Sequence, residues 1–589
     1  MKSRHVAILF TILGFMVFFV VVGFFVLYLL LGRRPIVPSN ARLTLRLSGD
    51  LAEMTPGNVV SYLSGRRTPT VRAVVDNLRK ASVDDRIHSV LLRPAGLSTP
   101  YWGKIQEIRD AVTAFKKSGK PVYAYLEYGG DRDYYLASAA DRVFLMPSSP
   151  LDVTGVATYE LFLRGMLDKV GIVPDLHGIG DYKTAPNTFT EKAFTPAHRE
   201  VDRSLNRDLY EQIVSGIAEG RKKSEDDVRR LLDEGPFLPE DALRAGLIDD
   251  VAYEDQAGEK LNAARAGKVG DLEGDDYALV SARSLGLNRG PRIAVIYVAG
   301  TIAAGRSGYH PLEGPVIGSD TLIDYIRRVR KDRSVRAIVL RIDSPGGSAA
   351  ASDAVWRELM IARREREDRP IVVSMSDLAA SGGYYIALPA QAIVAQPATL
   401  TGSIGIFGGK FATGGVYEKL GAHVDALSNG KNAEINSPLR PYNAAERQKL
   451  QEQLQAFYDQ FVEKVAESRH STPEKIDLLA RGRVWTGRQA KENGLVDALG
   501  GLATAVSLAK QRAKIADTSD VELVVYPPAR SLYELLADEL SGTNAGAAFG
   551  SWLSTSLSSG EREVLRAMRP LAIFRRGEPL ALMPFTLLR

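Results

Sequence analysis

Hydrophobic positions recur along this chain in two rhythms, after an opening stretch with no rhythm at all. Val6 to Leu31, "VAILFTILGFMVFFVVVGFFVLYLLL", is a run of 26 uncharged and nearly all apolar residues, preceded by Lys2 and Arg4 and followed by "GRRP". At about 1.5 Å per residue such a helix is about 39 Å long, enough to cross a hydrocarbon core of about 30 Å with some tilt. A cleaved signal peptide has a shorter apolar stretch and a small-x-small site, and neither is present. The pattern predicts an uncleaved anchor over residues 1–35. Basic residues flank both ends, so charge alone does not orient it.

Beyond the anchor, amphipathic helical segments alternate with short β-branched runs bounded by Pro and Gly, such as "RAIVLRID" and "PIVVSM". Short continuous apolar runs of this kind suit buried parallel strands. Their alternation with helices predicts α/β layers joined by crossover connections. The alternation occurs twice. "DNLRKASVDDRIHSVLLR" (Asp76 to Arg93) matches "DYIRRVRKDRSVRAIVLR" (Asp324 to Arg341), and the pair Tyr134/Tyr135 matches Tyr384/Tyr385 at an offset of 250. "DALRAGLIDD" returns as "RQAKENGLVDAL", with Gly246 and Gly494 in register. One unit of about 180 residues is therefore duplicated, a period far longer than that of solenoid repeats. The expected organisation is an anchor (1–35), a first unit (36–285), a second unit (286–520) and a tail (521–589). The stretch from Gly270 to Gly290 reads as a linker, and the tail is assigned no chemistry, only packing or assembly.

Composition narrows the function classes. At 589 residues the chain exceeds one hydrophobic core, in keeping with the duplication. It contains no cysteine, which excludes disulfides and thiolate metal sites. The net charge is only +5 and basic residues are interleaved with acidic ones, so no basic stripe invites nucleic acid.

In parallel α/β sheets, sites form in the turns at the carboxyl ends of strands. Two such turns stand out in the second unit, "DSPGGS" (Asp343 to Ser348) and "AASGG" (Ala379 to Gly383). Ser381 at the start of a helix lies where backbone N–H groups and the helix dipole are positive. The N–H of Gly382 can point at an oxyanion, and Gly346 or Gly347 offers a second donor. The same small residues also suit close packing of a helix on the sheet. None of the seven histidines sits in a motif that would complete a Ser-His-Asp triad. A lysine replaces histidine as base when burial lowers its pKa. Lys183 lies in a Gly-, Pro- and Thr-rich loop, "HGIGDYKTAPNTFTEKAFTPAHRE", outside any amphipathic pattern. A solvated loop lysine is the alternative reading of that residue.

Taken jointly, the N-terminal anchor, "GDYKTA", "DSPGGS", "AASGGYYIA", "TLTGSIGI" (Thr399 to Ile406) and "RVWTGRQAKENGLVD" (Arg483 to Asp497) resemble the long, duplicated form of bacterial signal peptide peptidase A, or protease IV, over residues 1–520. The resemblance implies two tandem crotonase/Clp-protease-like (ββα superhelix) domains behind a transmembrane helix. It also implies a Ser/Lys dyad, with Ser381 as nucleophile, Lys183 as general base, Ser403 as the hydroxyl that orients the amine, and Gly382 and Gly347 as oxyanion donors. It further implies a homotetramer in the bacterial inner membrane, its catalytic bulk extracytoplasmic. Substrates would be remnant signal peptides or similar apolar peptides, and no metal or organic cofactor would be needed. In the first unit Asp131 takes the place of Ser381 and "RPAGLS" replaces "SPGGS". One departure is that Lys431, in "SNGKNAEINSP", lies near the position aligned with Lys183. Tyr384, Tyr385 and the "SIGIFGG" segment are candidate lining of an apolar substrate groove, with core packing the default for the tyrosines. Two rivals are a crotonase-like acyl-CoA hydratase and a non-catalytic membrane scaffold.

Overall fold

The computed structural model describes residues 14–19, 21–23, 36–54, 70–263, 269–310, 314–528, 577–584 and 587–588. Most of the anchor expected over Val6–Leu31 lies outside them. Residues 14–19 and 21–23 are helical, with Phe15, Phe18 and Phe19 exposed. Among the described residues no helix is long and apolar enough to cross a membrane.

The first unit is built on β1 (Ala41–Gly49), α1 (Val71–Val83), β2 (Ile87–Leu97), α2 (Gly103–Lys116), β3 (Val122–Leu126), α3 (Asp131–Ala137), β4 (Arg142–Leu145), β5 (Val173–Ile179), α4 (Pro196–Arg221), β6 (Asp250–Val251) and β7 (Gly270–Glu273). Six of these strands form a parallel sheet in the order β7-β1-β2-β3-β4-β6. The expected linker therefore begins inside the unit, because β7 pairs in register with β1 from Ala41–Gly270 to Thr44–Glu273. Its sequence "GDLE" carries no apolar run, and only its pairing identifies it as an edge strand.

The second unit repeats the plan with β8 (Arg292–Ala299), β9 (Thr301–Ala303), α5 (Ser319–Lys331), β10 (Val335–Ser344), β11 (Gly346–Ser348), α6 (Ala349–Glu365), β12 (Ile371–Ala380), α7 (Gly382–Tyr385), β13 (Ala392–Ala395), β14 (Leu400–Gly402), β15 (Ile406–Ala412), α8 (Ala444–Ser468), β16 (Val484–Thr486), α9 (Leu502–Arg512), β17 (Glu522–Tyr526) and β18 (Leu580–Leu582). Its sheet runs β16-β14-β12-β10-β8-β17, and β13 pairs with the first half of β12. The second unit thus extends past residue 520: β17 completes its sheet by pairing in parallel with β8. The central strands β8 and β10 are almost wholly apolar and buried, from Ile293 to Val298 and from Ala337 to Ile342, as strands covered by helices on both faces must be.

The paired tyrosines show how closely the units correspond. Tyr134 donates its hydroxyl to the Leu247 carbonyl and Tyr384 donates to that of Leu495. Tyr384 and Tyr385 are fully buried; Tyr385 donates to Asp353 and stacks on Phe457. Both tyrosines are core residues and line no groove.

A third sheet joins the units. Its order is Gly308–His310, Gly314–Gly318, β9, β11, β18, β15, β5, so a strand of the first unit and a piece of the tail enter one sheet with strands of the second. β5 and β15 run antiparallel from Val173–Ala412 to Ile179–Ile406. The "SIGIFGG" segment thereby bridges the two units.

Candidate active site

Ser381 lies between β12 and α7, at the carboxyl end of the strand. Its backbone has φ 55° and ψ −113°, a conformation that costs a non-glycine residue about 1–3 kcal/mol and persists only where surroundings enforce it. The enforcement is visible: the Ser381 N–H donates to the Gly402 carbonyl, and its own carbonyl accepts from Tyr385 in the first turn of α7. Ser403 also has positive φ, at 48°, and its N–H donates to the Arg483 carbonyl.

Lys183 comes from the other unit. It follows β5 after a turn through Gly180, and the β5–β15 pairing delivers that turn to the second unit's site. Two glycines admit it. A Cβ on Gly482 would lie 2.4 Å from the Lys183 Cα, and one on Gly180 would lie 2.4 Å from the Arg481 Cα. The Lys183 Nζ ends 2.9 Å from Ser381 Oγ, 3.0 Å from Ser403 Oγ and 3.2 Å from the Ser403 carbonyl oxygen. Lys183 is 4% exposed and both serines 0%. No carboxylate is among these partners. Burial alone pushes the Lys183 amine well below the ordinary lysine value. Lys431, by contrast, lies on an exposed turn.

The glycine turn stands opposite. Gly346 (φ 99°) has no room for a side chain: a Cβ there would meet the Gly382 nitrogen at 2.6 Å and the Ala581 carbonyl oxygen at 2.1 Å. Ser348 ends the turn and caps α6, accepting from the Ala351 N–H. The occupant of the turn is the tail. β18 lies antiparallel to β11, pairing Gly346 with Leu582, Gly347 with Ala581 and Ser348 with Leu580. The Met583 N–H donates to the Pro345 carbonyl and the Ala349 N–H to that of Pro579, so Gly347–Ala581 is a hydrogen-bonded pair of this ladder. The Gly347 N–H therefore donates to the Ala581 carbonyl, beside the Gly382 backbone. Ala581 is fully buried. The tail was expected only to pack or assemble; the structure lays part of it across both glycine turns. Apart from Glu578, which accepts from the Ser348 hydroxyl, backbone pairing makes these contacts, and such pairing leaves no signal in the sequence.

In the first unit the corresponding turns are closed by carboxylates. Asp131, aligned with Ser381, accepts from the Thr154 and Gly155 N–H groups. Asp133 accepts from Gly96 and Leu97, in the turn aligned with the second unit's glycine pair. The Gly96 and Leu97 N–H groups, counterparts of the second unit's glycine-turn donors, are thus already taken by a side chain.

A buried alcohol on a strained strand-to-helix turn, next to backbone donors and an amine whose proton affinity burial lowers, has the geometry that nucleophilic catalysis by a serine requires. Comparison with known proteins agrees. Residues 114–268 and 363–516 each match peptidase family S49. The chain is 36% identical to a chloroplastic serine protease SPPA of Arabidopsis thaliana, over 84% of this chain and 72% of that protein. It is 33% identical to protease 4 of Salmonella typhi (80% and 76% covered) and 32% identical to protease 4 of Haemophilus influenzae (80% and 79% covered). The chain belongs to peptidase family S49, as a serine peptidase of the signal peptide peptidase A type.

Proposed function

We propose that the enzyme is a membrane-anchored endopeptidase that cuts small apolar peptides, remnant signal peptides among them, with a Ser381/Lys183 dyad. The observation that carries the reading is the 2.9 Å approach of the Lys183 amine to the Ser381 hydroxyl, both groups being buried. Neutral Lys183 takes the Ser381 proton as Oγ attacks the substrate carbonyl, and the oxyanion is held by the N–H groups of Gly347 and Gly382. The tetrahedral intermediate collapses, the lysine ammonium protonates the departing amine, and an acyl-enzyme remains. Lys183 then deprotonates water, which attacks the ester and frees Ser381. Ser403 holds the amine in line by accepting one of its protons.

The pairing of β18 with β11 supports the reading that substrate binds as an extended peptide antiparallel to β11, its carbonyl against Gly347. The β18 side chains Leu580 and Leu582 pack there against Ala185 and Phe407, so a peptide taking the place of β18 would meet the apolar surface of Ala185 and Phe407. The duplicated unit is read as a crotonase/Clp-like domain. With Val6–Leu31 as anchor the chain sits in the bacterial inner membrane, its bulk extracytoplasmic, as a homotetramer. Hydrolysis of an apolar peptide by the full-length protein tests the chemistry, with a serine-directed covalent inhibitor as the second arm. Ser381→Ala and Lys183→Ala should each abolish turnover, and only proteins with intact Ser381 should take up the inhibitor. Full peptidase activity in Lys183→Ala together with loss of activity in Lys431→Ala would sink the dyad as assigned.

A further inference from the structure

Away from the dyad, the start of α4 buries a second set of reactive side chains. His198 and Asp202 are four residues apart, so both project from one face of the helix. Glu160, just after the short strand Thr158–Tyr159, faces them. One imidazole nitrogen and one oxygen from each carboxylate lie within 4.8 Å of one another, and His198 Nε2 is 3.7 Å from Asp202 Oδ2. His198 is 1% exposed and Asp202 8%. Neither ring nitrogen of His198 finds a hydrogen-bond partner among the described residues, and nor does Asp202 Oδ2.

That is an expensive arrangement. A buried polar atom left unsatisfied costs about 1–3 kcal/mol, and native structures rarely leave several pointed at one spot. A hydrogen bond between the pair does not answer it, because 3.7 Å is beyond hydrogen-bond reach. Phe162 and Phe194 pack edge-on against the imidazole, with ring centroids 5.8 and 5.0 Å away, and offer it no polar partner.

We propose that Glu160, His198 and Asp202 bind one divalent transition-metal ion of the zinc class. An imidazole with two carboxylates is a ligand set that zinc accepts, with bonds of about 2.0–2.2 Å and water in a fourth position. A tetrahedral set with such bonds has ligand–ligand edges of about 3.4 Å, so the His198–Asp202 spacing needs to close by only a few tenths of an ångström. The apolar wall formed by Phe162 and Phe194 is the kind of surround that excludes competing water from a metal.

The ion has a structural use here. It ties the Thr158–Tyr159 segment to the first turns of α4, and α4 braces the lysine loop. Glu200, two residues after His198, accepts from the Tyr182 hydroxyl at 3.1 Å and from Arg483 at 2.6 Å, and Tyr182 precedes Lys183. The site acts by holding the base-bearing loop and takes no part in the chemistry at Ser381.

The test is metal binding by the full-length protein. It is loaded with Zn2+, desalted and assayed for metal per chain; affinity is then read by competition with a chromophoric chelator. Thermal midpoints are measured with and without Zn2+, and Ca2+ serves as a hard-cation control. The wild type should retain about one Zn2+ per chain and gain thermal stability from Zn2+ and not from Ca2+. Asp202→Asn keeps the side-chain shape, and His198→Phe extends the aromatic packing. Each should weaken Zn2+ binding about tenfold or more and lose the thermal gain. If His198→Phe does not fold, Asp202→Asn alone decides. Wild-type protein that keeps no more zinc than Asp202→Asn, or a thermal gain that survives in the variants, overturns the proposal.

Discussion

The Lys183 amine has lost its water and gained no carboxylate, and two consequences follow. The first concerns rate. The base works only when neutral, so kcat/KM should fall as pH drops through the Lys183 pKa, which lies well below the ordinary lysine value of 10.5. A pH–rate profile with its acidic limb near 10.5 would contradict this. Ser403→Ala removes a buried hydrogen-bond partner of that amine, a loss of about 1–3 kcal/mol, and should cut kcat about 5- to 150-fold. The second concerns stability. Between the lowered folded pKa and 10.5 the unfolded chain binds the proton that the folded chain refuses, so stability rises with pH across that window. Lys183→Met abolishes the proton linkage. It should unfold at higher urea than wild type at pH 7, while hydrolysing nothing; equal or lower urea midpoints would speak against the buried neutral amine.

At the scale of the element, the decisive feature is β18. An added strand meets a substrate site through main-chain hydrogen bonds, and those bonds are indifferent to which peptide supplies them. On the proposed binding mode, tail and substrate compete for β11. Deleting residues 577–589 should raise kcat/KM for a short apolar peptide and lower KM more than it changes kcat, measured by initial rates on the full-length and shortened proteins. A fall in kcat/KM with the fold intact would show that β18 supports the turn and does not compete with substrate. The glycines act at the same scale. Gly482→Ala would drive a methyl into the Lys183 backbone, so it should displace the base and lower activity without touching Ser381.

For the whole molecule, the proposed dyad divides one reaction between the two copies: the second would supply the nucleophile and the glycine turns, the first the amine. Their interface is charged and buried. Arg341 of β10 bonds Glu53 at 2.7 Å and Glu107 of α2 at 2.6 Å, while Lys104 of α2 lies 2.8 Å from Asp343 and 3.4 Å from Asp377. Removing the arginine would leave Glu53 and Glu107 buried without their shared cation, at a cost of about 3–5 kcal/mol. Arg341→Met should accordingly lower the thermal midpoint and, by loosening the seam across which Lys183 reaches Ser381, reduce hydrolysis as well. A variant with wild-type midpoint and rate would mean that this network does not hold the units in register.

The alternation of apolar strands with amphipathic helices, the duplication and the candidate turns that hold Ser381, Gly347 and Gly382 were legible in the sequence as local patterns, while the roles of Lys183 and Ser403 stood out only through the family resemblance. The role of Asp131 was half legible: its alignment with Ser381 was plain, but that it and Asp133 fill the first unit's turns was not. β7 and β17 escaped notice because an edge strand needs a neighbour's hydrogen bonds more than it needs an apolar run. The same physics hid Gly482 and Ala581, whose importance lies in how near another backbone comes. The sequence by itself determined which groups could react. Only the antiparallel meeting of β5 with β15 decided that the amine of one copy reaches the alcohol of the other, because a contact between residues 198 positions apart is set by sheet pairing and leaves no periodic trace in the chain.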